Sequence, residues 1–260
     1  MPPTKVDPKD EILFTIDLNK LLTPMAILVA GTLIGGTLFL SYRSNGDVAS
    51  PTQPSVQGVA DVPEPTEQVQ FTDTVGSIDD DPINGDVDSA KVAIIEFSDF
   101  ECPYCQRHFS DTYYQIVDQY IDTGEVIYVF RDYPLGFHPQ AKPAALAANC
   151  AREQGGDEVY FEYHDILFTN AVSSASKESY VKWAGDLDLN VDEFASCFDS
   201  ERYFDEIDAD EADGLASGVN GTPGFIIGRL SDDGTVSGKL IAGAYPFSEF
   251  QKIIEEYLAQ

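Results

Sequence analysis

The segment Cys102-Pro103-Tyr104-Cys105 follows an apolar, strand-like run (Val92 to Phe97) and opens a helical pattern. Two cysteines at i and i+3 on the first turn of a helix lie within reach of a disulfide. At a helix N-terminus the unpaired N–H groups and the macrodipole favour a thiolate. That lowers the thiol pKa and marks Cys102 as the attacking sulfur. Pro103 suits the first helical position, where no N–H is needed. The pattern reads as a redox centre reached from the end of a buried strand.

Other uses of paired cysteines fit less well. A zinc site needs four ligands, and the chain has no second CxxC or nearby His pair. Covalent haem attachment needs a His directly after the motif, where Gln106 stands. No cofactor or metal is expected. Of 260 residues, 45 are acidic and 15 basic, a formal net charge of −30. Such a surface repels nucleic acid, so a phosphate-backbone partner is excluded. The excess of acid reads as an adaptation for solubility or salt.

Leu21 to Leu40 carries no charged side chain. That length matches a hydrocarbon core of about 30 Å at 1.5 Å per residue. A cleaved signal peptide usually has a shorter apolar core, and no convincing small-residue cleavage site follows. Lys5, Lys9 and Lys20 precede the stretch, and only Arg43 follows before Lys91. The expectation is a cytoplasmic tail over 1–20, a single membrane anchor over 21–40 and an extracytoplasmic remainder. Residues 41–70, rich in Pro, Ser, Thr and Gln, read as a flexible linker with a reach of about 30 Å. Four cysteines in an exported domain fit two pairs.

The folded domain is expected over 71–260. Asp79 to Asp88 is acidic and turn-rich. Val92 to Ile95 reads as a strand buried on both faces. Phe109, Tyr113, Ile116, Val117 and Tyr120 mark one helical face, Gly124 ends that helix, and Val126 to Phe130 is a second strand. Such a β-α-β order implies parallel strands. Residues 138–218 are Ala-rich and helical, with helices over 141–151, 159–168, 177–185, 191–198 and 203–217. In the last of these the acids from Asp205 to Asp213 read as the wet face, opposite Phe204, Ile207 and Leu215. Strands return at 224–227 and 239–242 around a Ser231-Asp232-Asp233-Gly234 turn. A closing helix starts at Ser248, a plausible N-cap with Gln251 three residues on.

Glu96-Phe97-Ser98-Asp99-Phe100-Glu101 leading into the CxxC, with Gly221-Thr222-Pro223 far downstream, resembles the DsbA-like thiol–disulfide oxidoreductases of the thioredoxin superfamily. The likeness covers about residues 75–260. It implies an α/β thioredoxin fold with an inserted helical subdomain, here preceded by one transmembrane helix. It further implies a cis Thr222–Pro223 bond packed against the active disulfide, and substrate contacts by Pro103, Tyr104 and Thr222. The implied activity introduces disulfides into exported proteins, with reoxidation by a quinone-linked membrane partner. An isomerase or reductase of the same chemistry, or a tethered peptide-binding module with a structural CxxC, are the alternatives.

Glu96 is an acid in an otherwise apolar strand. Buried, it would have a raised pKa and could relay the proton of Cys105, the role of an acid at this position in the family. Solvent-facing, it would be a surface carboxylate. Cys150 and Cys197 sit on different helices, and a structural disulfide is expected over two buried free thiols. His108 reads as a helix-surface residue that could otherwise tune the centre. His138 and His164 read as structural, and Trp183 as part of the helical core.

Overall fold

The computed structural model describes residues 71–260. The tail, anchor and linker expected over 1–70 lie outside the described residues. Among the described residues no helix is long and apolar enough to cross a membrane.

Six strands form one sheet: β1 (Thr72–Ser77), β2 (Ile83–Asn84), β3 (Val92–Ser98), β4 (Val126–Asp132), β5 (Gly224–Leu230) and β6 (Thr235–Ala242). Their spatial order is β1-β6-β5-β3-β4-β2. β3 and β4 run parallel, and every other neighbour pair is antiparallel. Every residue of β3 and β4 is buried, as a sheet covered on both faces requires.

The period of two then sorts their side chains. Val92, Ile94, Val126, Tyr128 and Phe130 enter one core, and Ala93, Ile95, Phe97, Ile127 and Val129 the other. Glu96 and Ser98 therefore share the side of Ile94. On that side lie the helical run α1 (103–121) and the last helix, α6 (Phe247–Leu258), through Phe250, Ile253 and Ile254.

α1 is less regular than its apolar spacing suggests. It opens as an α-helix (Pro103–His108) and passes through π turns at Phe109–Tyr113 and Val117–Ile121. Phe109, Tyr113, Ile116 and Tyr120 are nevertheless all buried. Periodicity locates the apolar face but not the wider turns that serve it.

The helices between β4 and β5 are α2 (Ala141–Thr169), α3 (Lys177–Asp186), α4 (Val191–Asp199) and α5 (Phe204–Ala216). α2 contains both of the first two expected helices, broken at Gly156, whose φ of 71° suits glycine. Cys150 on α2 and Cys197 on α4 are joined, with Cα atoms 5.8 Å apart. Trp183 packs against this core half-buried.

Three readings of the sequence need correction. The acids of α5 are not uniformly wet, because Asp210 is buried and Leu215 is 54% exposed. The cause is Arg131, a buried guanidinium at the end of β4. Its Nε lies 2.7 Å from Asp81, and its Nη2 lies 2.8 Å from Asp210 and 3.1 Å from Asp213. A buried charge needs such partners, so α5 turns Asp210 inward. Glu206 joins Asp81 and Asp210 at cation-binding spacing, but Arg131 already supplies the positive charge there.

Secondly, Ser248 does not cap α6. The helix begins at Phe247, after an extended Pro246, because Phe247 turns in toward Tyr120. Thirdly, the segment before β3 supplies strands as well as turns. β1 completes one edge against β6, and β2 adds a short edge to β4. These are tertiary pairings that exposed, polar stretches do not announce.

Because the Cys150–Cys197 bridge closes a separation of 47 residues, removing it frees the unfolded chain. The Cys150→Ala/Cys197→Ala protein is expected to lose about 2–4 kcal/mol in urea unfolding. Its Cys102 alkylation profile should match that of the parent protein.

Candidate functional site

β3 ends at Ser98, and the next three residues are fixed before the helix begins. Asp99 accepts hydrogen bonds from the amides of Glu101 (2.7 Å) and Leu135 (2.9 Å) and pairs with His138 Nδ1 at 2.7 Å. Glu101 accepts from the Gln140 amide at 2.7 Å. The amide of Tyr133 donates to Ser98 O at 2.8 Å, and that of Cys102 to Asp99 O at 3.0 Å. The cysteine pair thus sits on a loop held from both sides. His138 has the structural place expected of it.

Cys102 occupies the N-cap position, with extended backbone angles and Pro103 following at the first helical position. Both Cys102 and Cys105 are free thiols, Cys102 3% exposed and Cys105 fully buried. The Cys102 thiol is drawn down to about 5, first by the hydrogen bond that Cys105 S–H donates to it, against the opposing cost of burial. The Thr222 side chain and the Cys105 and Tyr104 amides add to the lowering. Helix-terminal amides therefore help, as the sequence suggests, but the neighbouring thiol contributes most. Burial first, and then the same bond, raise the Cys105 thiol well above its ordinary value. One sulfur is ionised and the other is kept protonated beside it.

Thr222–Pro223 is a cis peptide bond. Cys102 Sγ lies 3.5 Å from Thr222 O, so the loop preceding β5 closes over the attacking sulfur. Pro223 is buried, its carbonyl accepting from Gly243 at 2.8 Å. A groove of about 480 Å³ runs along this loop, lined by Asn220, Gly221, Thr222, Pro223 and Gly243. Pro103 is exposed at the helix start, and Tyr104 is 57% exposed beside it, with the Arg107 guanidinium 5.1 Å above its ring.

Glu96 is 2% exposed, which removes the surface-carboxylate alternative. Burial pushes its carboxyl up to about 7, although hydrogen bonds from Tyr128 and Ser98 pull the other way. Ser98 Oγ donates to Oε1 at 2.8 Å, and Tyr128 OH donates to Oε2 at 2.5 Å. The charge of Glu96 is felt at Cys105, where it disfavours a second anion.

His108 is the clearest departure from expectation. It is not a surface residue but 1% exposed, packed against Phe225 and Phe250 with ring centroids 4.5 and 5.0 Å away. Burial and the nearby His164 depress it to about 3, so the ring is neutral. α1 lies flat on the sheet, and the residue three positions after Cys105 faces down with it.

Ser98 and Tyr128 belong to the site although the cysteine motif does not mark them. Their signals were there: Ser98 is two residues from Glu96 on one face, and Tyr128 is the lone phenol in an otherwise apolar run of β4. Cys150 and Cys197 take no part in this site; their bridge lies on the helical subdomain.

If the Cys105 thiol rather than the helix end dominates, Cys105→Ala will move Cys102 far more than a change in helix sequence would. The pH midpoint of iodoacetamide alkylation should lie near 5 in the parent protein. In Cys105→Ala it should rise by about one unit or more, a change of about 1.4 kcal/mol per unit.

Known proteins bear on this geometry. A family profile described as thioredoxin matches residues 79–256. The Na(+)/H(+) antiporter NhaA 3 of Salinispora tropica is 36% identical over 141 residues, covering 53% of this chain and 20% of the antiporter. The chain spans only 20% to 25% of the length of the first antiporters it matches. Disulfide bond formation protein D of Bacillus subtilis is 24% identical over 188 residues, covering 70% of this chain and 79% of that protein. In structure, oxidised BdbD from Bacillus subtilis superposes with a TM-score of 0.63 at 21% identity, over 74% of this chain and all of BdbD. The shared architecture is the thioredoxin-like sheet with a helical insertion.

Proposed function

The chain belongs to the thioredoxin family, and on that premise we propose that it is a thiol–disulfide oxidoreductase that donates its Cys102–Cys105 disulfide to exported proteins. One arrangement carries the reading: two free cysteines one turn apart, Cys102 at the helix N-cap 3.5 Å from Thr222 O, Cys105 fully buried and Glu96 buried on the same side of the sheet, which draws the first thiol down and pushes the second up. A merely structural bridge has no use for this asymmetry.

The chemistry follows from it. A substrate thiolate attacks Cys102 Sγ of the oxidised pair, the Cys102–Cys105 bond breaks, and Cys105 leaves and takes a proton from Glu96. A second substrate thiolate attacks the substrate sulfur of the mixed disulfide. Cys102 departs as a thiolate, and the substrate has given up two electrons. A low thiol pKa makes Cys102 the better leaving group and stabilises the reduced enzyme, which favours oxidation of the substrate. The Thr222 backbone offers an edge along which an extended substrate segment could add as a strand. Exposed Pro103 and Tyr104 flank that approach.

The uncharged stretch Leu21 to Leu40, with its lysines on one side, supports a single-pass anchor that holds the domain outside the cytoplasm. An enzyme that gives away its disulfide needs reoxidation. A quinone-linked partner in the same membrane would meet a domain tethered there.

Cys105→Ser removes the resolving sulfur and leaves Cys102 free to attack. Expressed in an exporting host, this variant is expected to accumulate mixed disulfides through Cys102 that disappear on adding dithiothreitol. Unchanged peptide binding with no trapped species would instead favour a binding module.

A further inference from the structure

The end of the sheet that carries Cys102 is bare of charge on a strongly acidic chain. β3 and β4 run parallel and pair in register up to Ser98 and Asp132, so the segments that leave them emerge together. The first leads to Cys102 and the second to Phe137. β5 flanks β3 on the other side and starts opposite Phe97, so Thr222–Pro223 stands across the Cys102 loop from residues 133–141. The segment that follows β6 leaves at the same end, where Ala242 pairs with Gly224. No Asp, Glu, Lys or Arg occurs in 133–141, 218–224 or 242–248, although 45 of the 260 residues are acidic.

We propose that Phe137 is a specificity-determining residue, which receives an apolar side chain next to the reacting cysteine of the substrate. The proposal rests on the thiol–disulfide reading above and adds which substrate segments the site prefers.

Lone exposed apolar side chains are ordinary on protein surfaces. Phe137 differs in how it is held. At 75% exposure it is the most open large apolar side chain among the described residues, and it belongs to neither core. Yet its ring lies edge-on to that of His138, with 4.5 Å between centroids, and His138 Nδ1 is 2.7 Å from the Asp99 carboxylate. Asp99 also accepts from the amides of Leu135 and Glu101, and Glu101 accepts from the amide of Gln140. The segment that presents Phe137 is therefore pinned, before and after the ring, to the segment that presents Cys102. The fold gains little from an aromatic ring left in water, but a ligand gains from an anchor fixed in advance. Little freedom is lost when a side chain packs on it, so more of the contact appears as binding.

The chemistry of the preferred neighbour follows. A substrate cysteine that reaches Cys102 from the Thr222 side brings its adjoining residues over the Cys102 loop, toward Phe137. An apolar residue there buries surface against the ring. A carboxylate there is desolvated beside a stretch that carries no Lys or Arg, and gains no partner. Asp99 and Glu101, the two acids that precede Cys102, are engaged by the amides of these loops and leave the ring its apolar surroundings.

Three dithiol peptides test the assignment, identical except for Leu, Ser or Asp on both sides of one cysteine. The oxidised full chain is mixed with each, and peptide oxidation is followed through a single turnover by acid quench and mass measurement. In the parent protein the Leu peptide is expected to react about tenfold faster than the Ser peptide, and the Asp peptide more slowly than either. Phe137→Ala should bring the Leu-to-Ser ratio below about threefold, whereas Phe137→Leu, which keeps an apolar side chain, should hold most of it. Because the readout is a ratio, a general loss of activity cancels from it. Rates within about twofold of one another for all three peptides in the parent protein would overturn the proposal. So would a preference that survives Phe137→Ala, or one that Phe137→Leu abolishes equally. A parent protein that oxidises none of the peptides would instead reject the thiol–disulfide reading, and this assignment with it.

Discussion

The hydrogen bond from Cys105 S–H to the Cys102 sulfur is the contact on which the site depends. Burial alone would raise both thiols, since desolvation disfavours the charged form of each. The shared proton breaks the symmetry: it stabilises the anion on one sulfur and forbids a second anion on the other. Backbone amides at the start of α1 and the Thr222 side chain refine the balance. From this single interaction come the order of attack, the identity of the resolving sulfur and the need for a base beneath it.

The fold exists around that pair in a concrete sense. β3 carries Glu96 and Ser98 to the α1 side of the sheet, and the parallel pairing with β4 brings Tyr128 alongside. Asp99 and Glu101 then lock the turn, so that Cys102 enters the helix at one defined position. On the opposite edge, antiparallel β5 delivers Thr222–Pro223 against the sulfur. Arg131 ties the end of β4 to α5 and to the loop before β2 through carboxylates on both. Removing one partner of such a buried set costs about 3–5 kcal/mol, because the remaining charge is left unpaired.

Much of this was legible in the residues. Val92 to Phe97 and Val126 to Phe130 declare central strands, the Ala-rich block declares helices, and the CxxC and Thr-Pro pair declare the site. What escaped depended on contacts far apart in the chain. β1 is polar and half-exposed, and only β6 makes it a strand. His108 follows a helix-surface spacing until α1 is laid on the sheet, and Asp210 looks like one acid among many until Arg131 reaches it. Leu215 looks like core and is exposed. The π turns of α1 leave its apolar spacing intact and so leave no trace in it. Ser98 and Tyr128 could have been found by asking which polar side chains share a face with Glu96.

The most direct test of the central claim is an equilibrium redox titration of the protein against glutathione at neutral pH. A Cys102 thiolate stabilised by its neighbour makes the reduced state favourable, so the pair should titrate near the oxidising end of the thioredoxin range, at about −120 mV. A potential of about −270 mV would mean that the reduced pair gains nothing from the arrangement, and would contradict the account.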